Sequence, residues 1–333
     1  MEGGHYPVLW QAVLRLLDPR PGEVYLDMNL GRGGHLMKIA PHLGEEGLIV
    51  AIDADPSAVA WARENLLPKL PCPAHFVVAW SDEIDRVLSE LQVGQADLVL
   101  FDLGVSSVQL RDPAKGFSFE RPGPLLLTYR GEEAELTARD IVNHWGEGEI
   151  ADLLYELGDE RYARRIARLI VEARRSTPLK TTTDLAEICV RAYPPHARRG
   201  RIHPATRTFL ALRLFLNREL ERLERALPKA ATQLREGGRL TAIGFMSKEV
   251  RLIRQFLRRH RAFSGEPLPD GGYLEITTPR AVRPSREEVR QNPPSRSAVL
   301  RAARKVFPGA EGPESSQKHP PEEERNKPER RRK

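Results

Sequence analysis

The chain has 333 residues, 40% of them hydrophobic, and a formal net charge of +6, more than one hydrophobic core usually holds, so a main domain with a subdomain or tail is expected. No run of about 18 apolar residues occurs, and the opening MEGGHYPVLW has neither a basic nor an apolar leader segment, so a cytoplasmic protein without membrane insertion is expected. Cys72 and Cys189 form no CxxC pair and adjoin no clustered histidines; two buried or idle thiols are expected, with no disulfide framework and no metal.

Strand-like and helix-like segments alternate along the N-terminal third. EVYLD (23–27), LIVAID (48–53), HFVVAW (75–80) and ADLVLFDL (96–103) are short, apolar and bounded by turn residues, as buried parallel strands are. Between them HLMKIAPHL and PSAVAWARENLL carry helical spacing, with Asp55 or Ser57 placed to cap the second. This alternation predicts an α/β fold with a parallel, doubly wound sheet. It stops after Gly116, where ERPGP precedes an acidic stretch and the helical run EIADLLYELGDERYARRIARLIVEARR. There Leu153, Leu154, Tyr155, Leu157 and Tyr162 read as core positions. A further helix is expected from Thr183 to Ala192, with TTTDLAE supplying its cap.

Alternation resumes after His203 with TFLALRLFLNRELERLERALPKAATQLRE, read as one long amphipathic helix, and the strand RLTAIGF. The expected organisation is a first sheet segment (1–109), an inserted helical domain (110–203), a second sheet segment (204–306), and a polar, proline-rich tail (307–333) unable to bury a core.

The stretch DMNLGRGGH (27–35) follows the first strand and opens a helix. Glycines there let a ligand approach backbone N–H groups at a helix N-terminus. Asp53, ending the second strand, is placed to accept hydrogen bonds from both ribose hydroxyls of an adenosine-bearing ligand. The order G-R-G-G departs from the G-x-G-x-x-G pyrophosphate cradle, and the acid at Asp27 suits the positive groups of S-adenosyl-L-methionine; a nicotinamide-dependent dehydrogenase is the competing reading. Asp102, at the end of FDLGVSS, would join Asp27 and Asp53 at the carboxyl ends of the strands, where such sheets bind ligands. A carboxylate there can orient an exocyclic amine, although a strand-end cap is the simpler role.

Positive charge is concentrated. Residues 191–218 hold seven Arg and no acid, and residues 280–305 hold eight basic and two acidic residues. That is the footprint expected for a phosphate backbone, and Arg198, Arg199, Arg201, His203, Arg207, Arg296 and Arg301 are the candidate RNA contacts. His203 reads either as a substrate contact or as a buried, hydrogen-bonded histidine.

In order, the blocks HYPVLWQAVL, LGRGGH, AIDADP, DLGVSSVQL, GFSFERPGPL, GDERYARRIARLIVEAR, HPATRTFLALRLFLNREL and NPPSRSAVLR resemble the ribosomal RNA small-subunit methyltransferase H family. The resemblance implies a Rossmann-like methyltransferase fold with an inserted helical domain, and methylation of a cytidine N4 amine in small-subunit rRNA by S-adenosyl-L-methionine. It implies cofactor contacts at Gly33, Gly34, His35, Asp53, Trp80, Asp102 and Gln109, with Trp80 standing where relatives have Phe. Other departures fall in polar blocks: Leu126 and Thr128 replace an Asp and an Arg, Leu210 a Gln, Met246 a His and Val250 an Asp. They keep open an alternative, a catalytically weakened paralogue that binds the cofactor and rRNA as an assembly factor.

Overall fold

The computed structural model describes residues 7–200 and 202–308. Tail residues from 309 onward, Arg201 and His5 therefore lie outside the described residues.

The four apolar runs form β1 (Val24–Asp27), β2 (Leu48–Asp53), β3 (Ala74–Val78) and β4 (Ala96–Asp102). Their side chains alternate between two cores. Val50 and Ile52 of β2 and Val99 and Phe101 of β4 enter one; Ile49, Ala51, Leu98 and Leu100 enter the other. Burial on both faces explains why β1, β2 and β4 read as unbroken hydrophobic runs, whereas β3, at the sheet edge, leaves His75 and Val78 exposed. One face is covered by α1 (Trp10–Leu17), α2 (Leu36–Leu43) and α3 (Pro56–Asn65), the other by α4 (Ile84–Glu90) and later helices. Asp55 is the residue that caps α3, accepting the Ser57 N–H with Pro56 in the first turn.

Three later strands, β5 (Leu234–Gly244), β6 (Tyr273–Ile276) and β7 (Val299–Val306), complete a seven-stranded sheet of order β3-β2-β1-β4-β5-β7-β6. Strands β1 to β5 run parallel, whereas β7 runs antiparallel to both β5 and β6, so the sheet is mixed at this end. An antiparallel return needs no helical crossover. Order reverses between β1 and β4, which places a ligand crevice at the carboxyl ends of these strands.

The segment between β4 and β5 begins with α5 (Ser107–Arg111) and continues through α6 (Ala138–His144), α7 (Glu147–Gly158), α8 (Ala163–Ser176), α9 (Thr182–Ala192) and α10 (Thr206–Leu216), followed by α11 (Glu219–Gln233). Its helices share a third core running from Leu125 to Leu212 in sequence, including Phe209 of α10, so helical packing continues past residue 203. The run expected as one helix over 149–175 breaks at Asp159, which takes a left-handed φ of 50°. Gly158 allows that turn: a Cβ there would lie 2.5 Å from the Arg207 carbonyl oxygen of α10. Tyr155, expected in the core, is 67% exposed, while Leu153 and Leu154 are buried; one helix face cannot bury three consecutive residues.

The long helix expected after His203 also divides. Asn217 donates to Leu127 O (2.9 Å) and Arg213 O (2.8 Å) and accepts the Tyr129 N–H (3.1 Å), and Arg218 turns the chain at φ 49°. One amide thereby clasps the loop before α6 to the α10–α11 junction. α12 (Ser247–Arg259) follows β5, and α13 (Arg286–Gln291) precedes β7.

Lys305 of β7 is fully buried; its Nζ donates to Thr232 O (2.9 Å), Leu234 O (2.6 Å) and Asp270. Replacing it by Met strands two carbonyls and a carboxylate. Lys305→Met is expected to cost about 3 kcal/mol of stability, read from urea denaturation; an unchanged midpoint would show that water replaces the ammonium.

Cys72 and Cys189 are both buried free thiols, as expected. Burial pushes the Cys189 thiol up to about 12, so it is not a nucleophile. Among the described residues no cluster suits a metal ion, and no helix is long and apolar enough to cross a membrane.

Candidate cofactor and substrate site

Asp27 pairs in register with Ala51 of β2 and Leu100 of β4, so Asp53 and Asp102 extend beyond it on either side. The chain then crosses between those neighbours: Met28 N–H donates to Leu100 O and Leu30 N–H to Ile52 O, both at 2.9 Å. This crossing lays the glycine turn over the carboxyl ends of the strands. Gly33 holds φ +67°, a left-handed conformation that favours glycine. His35 caps α2 without a side-chain hydrogen bond, and the Met37 and Lys38 N–H groups of its first turn are taken by Gly33 O and His35 O, both at 2.9 Å.

Asp53 accepts Gly31 N–H at 2.8 Å and Asp55 N–H at 2.9 Å. Burial nevertheless raises its pKa to about 6, outweighing both amides. Asp27 accepts the Tyr25 hydroxyl (3.0 Å) and the Asn29 N–H (3.2 Å), is 2% exposed, and is likewise raised by burial to about 6. It is thus internally satisfied beneath the turn. Asp102 Oδ2 lies 3.4 Å from His35 Nε2, a longer contact than a hydrogen bond.

Three buried polar atoms around this turn have no hydrogen-bond partner: Asn29 Oδ1, His35 Nε2 and Asp102 Oδ1. Two are acceptors only, and an unpaired buried acceptor costs roughly 1–3 kcal/mol. Asn29 Oδ1, at the turn, fits a hydrogen-bond donor such as an amino-acid ammonium group, and Asp102 Oδ1, at the end of β4, fits a second donor such as an exocyclic amine. S-adenosyl-L-methionine therefore fits the residues present.

The adenine-side candidates are more enclosed. Trp80 stands edge-on to Tyr129, 6.0 Å between centroids, and the Arg222 guanidinium covers its ring at 4.1 Å. Asp82 fixes that arginine at 2.7 Å. The Arg130 guanidinium also lies over the ring, 5.9 Å from its centroid. Trp80→Ala is expected to weaken S-adenosylhomocysteine binding about tenfold, with Trp80→Phe close to wild type, by calorimetry; equal loss in both would show that indole-specific contacts, not stacking, carry the effect. Gln109 is buried, accepts Ser106 N–H and donates to Asp55 Oδ2 at 3.0 Å. Lys115 Nζ bonds the same carboxylate at 2.7 Å and Tyr129 O at 3.2 Å. Burial alone would raise the Asp55 pKa, but the Lys115, Ser57 and Gln109 hydrogen bonds hold it below the usual carboxylate range. Gln109 thus acts on Asp55, which braces the end of β2.

A second polar cluster was not visible in the sequence because four elements supply it. Arg213 of α10 forms a two-pronged pair with Glu219 of α11, at 2.9 and 3.0 Å. Tyr129 donates to Glu219 at 3.4 Å. Glu249 of α12 accepts Phe245 N–H (2.8 Å) and Met246 N–H (3.0 Å), and burial raises it to about 7. Met246 Sδ lies 4.0 Å from Arg213 Nη2. Of the other departures from the family pattern, Leu126 and Thr128 are buried, with Thr128 Oγ1 accepting the Arg130 N–H.

The expected RNA contacts divide into two groups. Arg198 and Arg199 are exposed on the loop before α10; Arg198 Nε donates to Tyr193 O, and Arg207 Nη1 to Asp159 O. His203 is exposed rather than buried, stacks on Phe119 at 4.6 Å and accepts the Ala205 N–H. Arg296 is exposed near β7, whereas Arg301 donates to Thr278 O and Pro279 O.

A doubly wound sheet of this strand order, with acids ending β1, β2 and β4 around a glycine turn, defines an α/β protein of the Rossmann-like methyltransferase class. The chain belongs to the MraW methylase family, whose sequence model matches residues 2–306. It is 44% identical over 313 residues to a ribosomal RNA small subunit methyltransferase H of Thermomicrobium roseum, covering 91% of this chain and 94% of that protein. Relatives bearing the same name in Geobacter sulfurreducens (43% identity, 92% and 100% coverage) and Acidobacterium capsulatum (42%, 90% and 98%) match as fully. Among solved structures, an rRNA methylase from Streptococcus thermophilus gives a TM-score of 0.41 at 8% identity, covering 91% of this chain and 99% of that one, a likeness too distant to bear on the site.

Proposed function

We propose that this methyltransferase transfers a methyl group from S-adenosyl-L-methionine to the N4 amine of a cytidine in small-subunit ribosomal RNA, in the cytoplasm. The observation that carries the cofactor reading is the unpaired Asn29 Oδ1 at the glycine turn; family membership and the relatives' names support the substrate.

When bound, the cofactor supplies an electrophilic methyl group on a sulfonium. Asp53 takes the ribose hydroxyls, exchanging its present amide partners in part, and the backbone at Gly34 and His35, just before α2, receives the carboxylate end. Trp80 stacks the base, while Gly33, Gly34 and His35 shape the close approach. Gln109 and Asp27 work through neighbours: one steadies Asp55, the other anchors the start of the turn through Asn29. Asp102 carries the acceptor chemistry. The N4 lone pair is delocalised into the cytosine ring, so a carboxylate accepting an amine hydrogen turns the remaining pair toward the methyl donor. Asp102 Oδ1 has that free capacity, with His35 Nε2 3.4 Å from Oδ2. The amine sheds a proton after transfer, and Asp102 is its acceptor. No other acid–base group is required, because orientation and desolvation carry most of such a transfer. Arg198, Arg199, Arg201, His203, Arg207 and Arg296 are proposed to contact the RNA, with Arg301 held back by its backbone carbonyls.

The test uses small subunits lacking the modification, isotopically labelled S-adenosylmethionine, nuclease digestion and mass spectrometry. Labelled N4-methylcytidine is expected; label on another nucleoside, or none, overturns the proposal.

A further inference from the structure

α12 begins at the acceptor side of the crevice, beside Met246 and Glu249, and leads away from it. Arg251, Arg254 and Arg258 recur along it at spacings of three and four, are exposed, and so share one face. Two open cavities line that face. One, of about 470 Å³, is bordered by Met246, Ser247, Arg251, Arg254 and Arg283; the next, of about 440 Å³, by Arg254, Arg258, Arg261, Arg301 and Phe263. Arg254 borders both, so the two cavities adjoin along α12, from Met246 at the crevice rim to Phe263.

The charge along them is strongly positive. Among the described residues, Glu275, which borders the second cavity, is taken up by Arg304, and Arg259 pairs with Glu266, whereas Arg251, Arg254, Arg258, Arg261 and Arg283 pair with no carboxylate. Burial and the nearby Arg254 and Arg258 hold Arg301 below the usual arginine range. Like charges gathered in a groove repel until an anion enters.

Phe263 borders the second cavity. It is 99% exposed at φ +65°, a left-handed conformation strained for a bulky side chain. The backbone around it is pinned: Ala262 N–H donates to Leu274 O (2.9 Å), Gly265 N–H to Arg261 O (2.8 Å) and Glu266 N–H to Arg259 O (2.6 Å). An aromatic ring is thus held in solvent at the end of an arginine row, the pairing of charge and stacking platform that single-stranded nucleic acid requires.

We infer that this face of α12 is a track for single-stranded RNA continuous with the target nucleotide: Arg254 and Arg258 hold backbone phosphates and Phe263 stacks an unpaired base. The inference rests on the rRNA reading of the active site. An anionic membrane would also attract the arginines, but one isolated aromatic provides no apolar face to insert, and the first cavity reaches Met246 at the crevice rim.

The experiment follows binding of a labelled, unstructured single-stranded RNA to the full chain by fluorescence anisotropy over a salt series. Arg254→Gln/Arg258→Gln is expected to weaken binding at least tenfold and to lower the slope of log K against log salt by about 1.4, that is ~0.7 per lost phosphate contact. Phe263→Ala is expected to weaken binding about tenfold with the slope unchanged, and Phe263→Trp to restore it. S-adenosylhomocysteine affinity, unchanged in every variant, reports intact folding. Wild-type affinity and slope in the variants overturn the track, as does a loss confined to phosphatidylglycerol vesicles, which would assign the face to membrane. Wild-type methyl transfer to unmodified subunits is measured alongside. Transfer with unaffected variants overturns the track alone; RNA binding that responds to the variants without transfer overturns the reaction alone; neither binding nor transfer by wild type overturns both.

Discussion

S-adenosylhomocysteine affinity is expected to be flat above about pH 7 and to fall about tenfold per unit below pH 6, because one carboxylate must give up a proton to bind. Asp53 has a pKa near 6 in the ligand-free protein because burial outweighs its two amide partners. Ribose hydroxyls donate, so they need the ionised form. Protein stability moves the other way. The unfolded carboxylate titrates near 4, so between about pH 4 and 6 the native state holds the extra proton, and ligand-free stability declines as pH rises through that window. Asp27, near 6, and Glu249, near 7, add to the same slope and extend it upward. Asp53→Asn is expected to weaken binding at neutral pH by roughly 10- to 100-fold, the loss of a charge-assisted hydrogen bond, and to flatten the pH dependence. Calorimetry and thermal melts across this range provide the check. An affinity that stays level down to pH 5 in wild type would remove Asp53 from the ribose contact.

Asp102→Ala is expected to lower kcat by about 10²- to 10⁴-fold, the range for removing a positioned proton acceptor, while cofactor affinity changes only a few-fold. Its Oδ1 is buried without a hydrogen-bond partner at the end of β4, and His35 Nε2 lies 3.4 Å from its Oδ2. Asp102→Asn keeps an acceptor oxygen but not the charge, and is expected to fall between. Single-turnover kinetics on unmodified small subunits, with separate binding titrations, distinguish the two roles. Equal losses in affinity and rate would place Asp102 at the methyl donor rather than the amine.

The sequence displayed those features that need only local order. The strand runs β1, β2 and β4 are visible because burial on both faces makes them almost wholly apolar, and α9 because Thr181 and Asp184 form a complete capping box. The acids at 53 and 102 stand at strand ends, where sheet geometry fixes their neighbours. Long-range decisions were hidden. Helical periodicity continues through Asn217, and the break there is made by bonds to Leu127 and Tyr129, at separations of 90 and 88 residues. Arg213, Glu219, Glu249 and Tyr129 meet only after three helices and a loop have packed. β7 was obscured by a lysine at a fully buried position, where an apolar residue is the rule. The arginines of α12 stand in the sequence, but that Arg251, Arg254 and Arg258 pair with no acid among the described residues is a property of the assembled surface.

The strand order also constrains how the molecule is made. β4 ends at Asp102 and its outer partner β5 begins at Leu234, so a nascent chain growing from its N-terminus holds an unpaired apolar edge while the intervening segment is synthesised, roughly 10 s at ordinary elongation rates. Such an edge is a template for pairing with a wrong chain. The intervening helices draw their core almost wholly from residues 125 to 216, so they can collapse on themselves before β5 emerges. The insertion thus has a second role as a timer: the longer it grows, the longer half a sheet waits exposed, and its own rapid, local folding limits the harm.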